Sequence, residues 1–232
     1  MARTPASNDA FFREVDDEVR RDRVEQAVRR YGRAAAIVVV VALLALGAYL
    51  IWQHRREAAA GENGERLAGA MAALAAGDRP GAQKPLDALA SDDAKGYGPI
   101  ARVLLADVAV QAGKPADAAS KFTAVANDGG APQPIRDLAL VRATALSFDT
   151  LAPAEVIRRM KPLAVAGKPW FGSAGEMTAL AEIRSGQTKA AGALLGAIAN
   201  DPTVPQSIRD RVGQLAGDLG VEVVQAGDSG RS

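Results

Sequence analysis

The sequence predicts an all-α protein in which an N-terminal helix leads into one transmembrane helix, followed by an α-solenoid of paired helices. Three observations carry this. Residues 34–52 read AAAIVVVVALLALGAYLIW, without one charge. Beyond residue 56, glycines and a proline-led motif recur at fixed offsets. The composition is 48% hydrophobic but only 4% aromatic, with alanine making up much of the apolar share. Alanine loses no side-chain entropy in a helix and lets backbones approach. A sheet would need the β-branched and aromatic residues that are scarce outside residues 37–41.

The first segment, 1–33, is read as cytoplasmic and helical. Residues 10–31 contain no proline or glycine, Asp9 is a candidate N-cap, and Glu14, Asp16, Asp17 and Glu18 suit the positive end of a helix. Phe12, Val15 and Val19 form a short apolar stripe. Such a helix either docks on a partner or membrane, or is solvated and delivers arginines for topology. The short stripe and the mixed charge favour the second reading.

The span follows. Nineteen residues at about 1.5 Å each give roughly 28 Å, close to the bilayer hydrocarbon thickness of about 30 Å. Tyr49 and Trp52 fall where amphipathic rings prefer the headgroup level, and arginines flank both ends. Unbroken apolarity on every face, with arginines at both ends, argues against a buried core helix. A cleaved leader is the competing reading, because Ala58 and Ala60 form an A-x-A pattern. The length of the apolar run and Arg55-Arg56 just before that site favour a retained anchor. Upstream lie Arg20, Arg21, Arg23, Arg29, Arg30 and Arg33; downstream lie Arg55, Arg56 and Arg66. The positive-inside rule then expects a cytoplasmic N-terminus and, in the inner membrane of a Gram-negative bacterium, a periplasmic C-terminal domain. The inverse topology would put the repeats in the cytoplasm.

Residues 53–63 are expected to link anchor and domain, with a hinge at Gly61-Glu62-Asn63-Gly64. The domain, 64–220, hides a repeat. Gly113 and Gly186 are 73 residues apart (186 − 113), and at that offset Asn127-Asp128 matches Asn200-Asp201 and Tyr97 matches Trp170. The stretch Pro132-Gln133-Pro134-Ile135-Arg136-Asp137 likewise matches Pro205-Gln206-Ser207-Ile208-Arg209-Asp210. Gly77 lies 36 before Gly113, so the basic unit is a helix pair of 36 or 37 residues. Glycine can take the left-handed conformation that closes a helix, and proline suits the first turn of the next. The expected pairs are 64–76 with 80–91, 98–112 with 115–128, 133–148 with 153–165, and 170–185 with 187–200. A helix over 205–219 caps the stack, and 221–232 reads as a disordered tail. The third unit lacks the turn glycine and uses Asp149, Thr150 and Pro153, while Pro85 threatens to kink or delay the second helix of the first.

Small residues at the helix crossings (Ala101, Ala106, Ala118), glycine at the turn and Phe122 in the second helix resemble the tetratricopeptide repeat. The first-helix tryptophan and tyrosine of that pattern are absent and the period is slightly long, so the units are degenerate.

Catalytic equipment is missing. The single histidine, His54, lies at the membrane boundary, and there is no cysteine, which rules out the usual triads, thiolate sites and a lipid-attachment cysteine. No phosphate-binding glycine loop occurs, and Asp92-Asp93 falls in an expected loop. A net charge of +1 gives no reason to expect nucleic acid. No enzyme activity, cofactor, metal or small-molecule substrate is therefore expected. Candidate protein-binding residues are Trp170, Phe171 and Tyr97, whose rings suit peptide anchors, although filling a gap between repeats is the favoured reading. In the two Ile-Arg-Asp motifs, isoleucine is expected to pack inward and the charges to remain at the surface.

The stretch FFREVDDEVRRDRVEQAVRRYG, the single anchor and the units including KPWFGSAGEMTALAEIRSGQ together resemble a bacterial inner-membrane family. It comprises ancillary Sec-translocon subunits, grouped also with cell-division-coordinator tetratricopeptide proteins. The resemblance runs from about residue 10 to 220. It implies a non-enzymatic adaptor beside the protein-conducting channel, whose partners are translocon subunits, nascent chains or periplasmic chaperones. The same architecture also serves regulators and scaffolds of cell-wall synthesis or envelope assembly.

Overall fold

The computed structural model describes residues 8–91 and 96–220; the expected tail and Asp92-Asp93 lie outside them. Among the described residues the regular elements are helices: α1 (Asn8–Ala75), α2 (Arg79–Ser91), α3 (Tyr97–Gln111), α4 (Pro115–Ala126), α5 (Gln133–Leu146), α6 (Pro153–Met160), α7 (Phe171–Arg184), α8 (Thr188–Ala199) and α9 (Gln206–Asp218). The chain divides into two compact units, Met1–Gly61 and Glu62–Ser232.

In the first unit, every large apolar side chain from Ile37 to Trp52 keeps more than half of its surface exposed, from 53% at Leu46 to 68% at Leu44. A helix of a water-soluble fold hides one face; this stretch hides none. It is long and apolar enough to cross a membrane, with a mean hydropathy of 2.8 in its most apolar window. At its end the Tyr49 and Trp52 rings stand 6.2 Å apart, and the Arg56 guanidinium lies 4.4 Å over the Trp52 ring.

The second unit is built from helix pairs: residues 62–75 of α1 with α2, α3 with α4, α5 with α6, and α7 with α8, closed by α9. Its core repeats in kind. An alanine at the centre of each first helix is matched in the second helix by an alanine, or by valine in the third pair, and a larger residue follows one turn later. These are Ala70, Ala82 and Leu86; Ala106, Ala118 and Phe122; Ala143, Val156 and Met160; and Ala179, Ala191 and Leu195, none more than 1% exposed. From first to second helix the spacing is 12 residues (82 − 70, 118 − 106, 191 − 179) except in the third pair, where it is 13 (156 − 143). The third pair thus carries one more residue across its turn, while the steps between first helices are 36, 37 and 36 residues (106 − 70, 143 − 106, 179 − 143), so the extra residue of the 73-residue double period falls between the second and third pairs.

The other three turns share one geometry. Gly77, Gly113 and Gly186 have φ of 78°, 72° and 77°. The residue after each donates back to the carbonyl five positions earlier, as Lys114 does to Ala109 at 2.9 Å. The third turn manages without glycine. Thr150 Oγ1 and the Thr150 and Leu151 amides all donate to the Ser147 carbonyl.

Two expectations need correction. Gly61-Glu62-Asn63-Gly64 is helical within α1, not an irregular hinge. Asn63 is buried and the Tyr97 hydroxyl lies 3.3 Å from where a Gly64 Cβ would stand, so packing outweighs the helix cost of about 1 kcal/mol per glycine. The helix expected to run to 165 ends at Met160. Pro162 has no amide to donate to Arg158 and its ring opposes that carbonyl, so another helical turn would leave an acceptor bare. Pro85, by contrast, lies inside α2 without delaying its start. The cap α9 buries Val212 and Ala216 and turns Gln206, Ser207, Asp210, Arg211 and Gln214 to solvent, as a terminal element requires.

Candidate protein-binding surface

The two copies of the proline-led motif fold alike. Pro132 and Pro205 precede α5 and α9 with φ, ψ of −56°, 141° and −52°, 138°. Ahead of them, Asp128 and Asp201 close Asx-type turns, accepting from the Gly130 and Thr203 amides at 2.8 Å each. The Thr203 hydroxyl also donates to Asp201, and these bonds hold that carboxyl below its ordinary range. Ile135 and Ile208 pack inward, while Arg136 and Arg209 donate to the Gly129 and Asp201 carbonyls of the preceding loop. The repeated motif is thus a loop-and-helix staple.

The aromatic candidates divide. Phe171 is 4% exposed, in the cluster of Ala179, Leu195 and Val204, and presents no ring to a partner as it stands. Trp170 is half-buried against Val141, Val156 and Met160, bridging the third and fourth pairs. Tyr97 takes the corresponding place in the earlier copy, half-buried over the core of the first pair.

Two grooves lie between successive second helices, and neither was legible as a site in the sequence. The first, about 370 Å³, runs between α2 and α4 along α3. Arg102, Lys114 and Lys121 line it with Asp87 and Asp117, over an apolar surface from Leu105, Val108 and Ala109. Arg102 is tied to Asp128 at 2.5 Å and Lys121 to Asp117 at 3.2 Å, so much of its charge is compensated within the chain. In the later copy, 73 residues on, Arg102 is replaced by Gly175 and Lys121 by Leu194. There Ile198 Cδ1 reaches to 2.6 Å of the position a Gly175 Cβ would take, so apolar side chains fill the corresponding place.

The second groove, about 610 Å³, runs between α4 and α6 along α5. Leu140, Ala126, Pro162 and Leu163 supply its apolar lining, and Arg158, Arg159, Lys168 and Asp137 its charges. Glu155, on the first turn of α6, accepts two bonds from Arg158 at 2.7 Å and one from Arg159 Nε at 2.5 Å. Those hydrogen bonds, Arg158 first, bring the Glu155 carboxyl down to about 2.

Elsewhere, ion pairs tie a first helix to the next: Asp107 of α3 with Arg142 of α5, and Glu176 of α7 with Arg211 of the closing helix α9 through two bonds of 2.5 and 2.6 Å. Burial raises the Asp107 carboxyl more than Arg142 lowers it. Among the described residues no group of histidine and acidic side chains is placed to hold a metal.

Stacked helix pairs around small-residue crossings, with grooves rather than an enclosed polar cleft, define an α-solenoid of the kind that binds proteins. Residues 28–167 match the tetratricopeptide repeat-like domain family, and the chain belongs to it. Domains of this kind are generally non-catalytic scaffolds for protein–protein contacts. No curated protein and no solved structure matches the chain.

Proposed function

We propose that this chain is a single-pass membrane adaptor that binds proteins and catalyses no reaction. The observation that carries the reading is the joining, in one chain, of an apolar helix exposed on every side with a grooved repeat domain. Exposure of that many large side chains to water is unfavourable by about 25 cal/mol per Å² of apolar area, and a bilayer removes it. The arginine excess before the span supports an N-terminus in the cytoplasm and repeats in the periplasm of an inner membrane. The likeness of the N-terminal and Trp170 segments to ancillary translocon subunits supports a place beside the Sec channel. There the repeats would take up emerging chains and pass them to periplasmic chaperones. An anchored binding surface acts at raised local concentration without any new contact.

The test is in vivo photocrosslinking from residues 165 and 173, on either side of Trp170. Adducts with translocon subunits or chaperones are expected. Reproducible adducts confined to wall-synthesis proteins would move the chain to envelope scaffolding. Protease added to intact spheroplasts should digest the repeats; full protection would invert the topology.

A further inference from the structure

We infer that the groove between α4, α5 and α6 docks an acidic, partly apolar peptide segment of a partner protein. The inference rests on the adaptor reading and names the chemistry of what that surface takes.

Charge comes first. Arg158, Arg159 and Lys168 face the groove against a single carboxylate, Asp137, which already accepts from the Gln133 amide at 2.6 Å. Glu155 does not line the groove, but it fixes both arginines from the side. Arg159 spends only Nε on that contact. Its terminal nitrogens make no other hydrogen bond among the described residues, and a guanidinium held this way is pre-oriented for a carboxylate. Lys168 has no ion pair among the described residues. In the neighbouring groove Arg102 and Lys121 each have a carboxylate of their own, Asp128 and Asp117, whereas here Arg158 and Arg159 share the single carboxylate of Glu155, which leaves an excess of positive charge.

Shape decides between a peptide and an anionic bilayer. The cations rim a concavity of about 610 Å³ with Leu140 and Leu163 among its lining. That size falls within the range of about 300–1,000 Å³ for ligand sites. Recessed apolar side chains can receive a side chain from a segment, whereas a bilayer presents a flat surface of headgroups. The occupant is accordingly a short stretch with an apolar residue flanked by aspartate or glutamate.

The groove also has an origin in sequence. It lies where the repeat breaks its own rule: Pro162 stops α6 after eight residues, against twelve or thirteen in the other second helices. A second helix continued to 165, as in a regular unit, would place a further turn where Pro162, Leu163 and Lys168 now border open space. Departures from a regular pattern with no evident gain in packing are expected at functional sites.

The experiment selects a phage-displayed library of random 12-residue peptides on the full chain held in nanodiscs of zwitterionic lipid. Selected sequences should be rich in aspartate and glutamate beside leucine or an aromatic. Binding of the best synthetic peptide, read by fluorescence anisotropy, should weaken at least tenfold in Lys168→Glu with Arg159→Gln. It should change less than twofold in Lys114→Glu, in the other groove. Lys168→Glu alone, at an exposed loop position, keeps the test valid where loss of Arg159 disturbs α6, and should weaken binding about threefold or more. Selection of basic or uncharged peptides overturns the inference, and so does binding indifferent to these substitutions. Capture of anionic vesicles that depends on Arg159 and Lys168, with no acidic peptide selected, would assign the groove to a lipid surface instead. Failed selection with crosslinking from 165 and 173 intact removes the groove and leaves the adaptor. Peptide binding without translocon or chaperone adducts keeps the groove and the adaptor and removes only the place beside the Sec channel.

Discussion

Truncating Phe122 tests the packing logic of the repeat domain most directly. Its ring is fully buried in the cluster of Ala106, Ala118, Val125, Ala139 and Ala143. Alanine side chains cannot swing into a void, because Cβ moves only with the backbone, so Phe122→Ala should leave a cavity that collapses little. A cost at the upper part of the usual Phe→Ala range, about 3–5 kcal/mol, is expected. The Arg142 guanidinium, 5.8 Å from the ring centroid, adds about 0.5–1 kcal/mol that is lost with the ring. Stability in stacked repeats is a sum of unit and nearest-neighbour terms, so the effect should be local. Hydrogen exchange on the full chain in nanodiscs reads this by segment. Protection in α3, α4 and α5 should fall by about two to four powers of ten, and that in α8 and α9 by far less. A loss below about 1 kcal/mol in α3–α5, or an equal loss in α9, would refute the reasoning.

The remaining predictions concern backbone, charge and membrane. A Cβ meets nothing within 4 Å at either Gly113 or Gly213, but Gly113 has φ +72°. Gly113→Ala should therefore destabilise by about 1–2 kcal/mol, while Gly213→Ala inside α9 should stabilise by about 0.5–1 kcal/mol; the same sign in denaturant unfolding at both sites would refute this. Glu155, lowered from an ordinary 4.5 to about 2, lends α6 a contribution that is complete above pH 4.5 and lost as pH falls towards 2. A carboxyl-carbon NMR titration with a midpoint near 4.5 would contradict it. Arg142→Leu leaves Asp107 half-buried without its partner and should cost about 1–3 kcal/mol. Asp107→Leu with Arg142→Leu should recover to within about 1 kcal/mol of the parent, because desolvation offsets much of such a pair; no recovery in the double-mutant cycle would overturn that. Val40→Arg with Leu44→Arg should add about 5–7 kcal/mol to insertion of the span and release the chain on carbonate extraction; full retention in the membrane pellet would speak against a span there.

Much of this fold is legible because its boundaries are set by residues with one strong conformational preference. Gly113 and Gly186 end helices by adopting positive φ, and Pro132 and Pro205 start them with φ already fixed. The end of α6 at Met160, short of the expected 165, has its signal in Pro162. The hinge reading failed because its local signal misleads. Two glycines within four residues mark a break locally, yet Gly64 serves the approach of Tyr97 from more than 30 positions away (97 − 64). Composition and spacing carry no information about such a contact. The same applies to Phe171 and Trp170, adjacent in sequence, of which one lies in the core and the other on its edge.

The grooves were illegible because they arise from differences between copies, whereas repeats are found by likeness. At equal places in the double period stand Arg102 and Gly175, Lys121 and Leu194, Asp107 and Leu180, Arg142 and Leu215. In each case the earlier copy is charged and the later one is glycine or leucine, although the backbone around them is shared. Burial raises the Asp107 carboxyl despite Arg142, so the charged solution is not the cheaper one for packing. The later copy does the reverse at one pair of places, where Glu176 and Arg211 stand in the positions of Val103 and Leu138. Each copy therefore sets its ion pairs at different places on a shared backbone, and the surfaces the two halves offer a partner differ for a reason that likeness between copies cannot reveal.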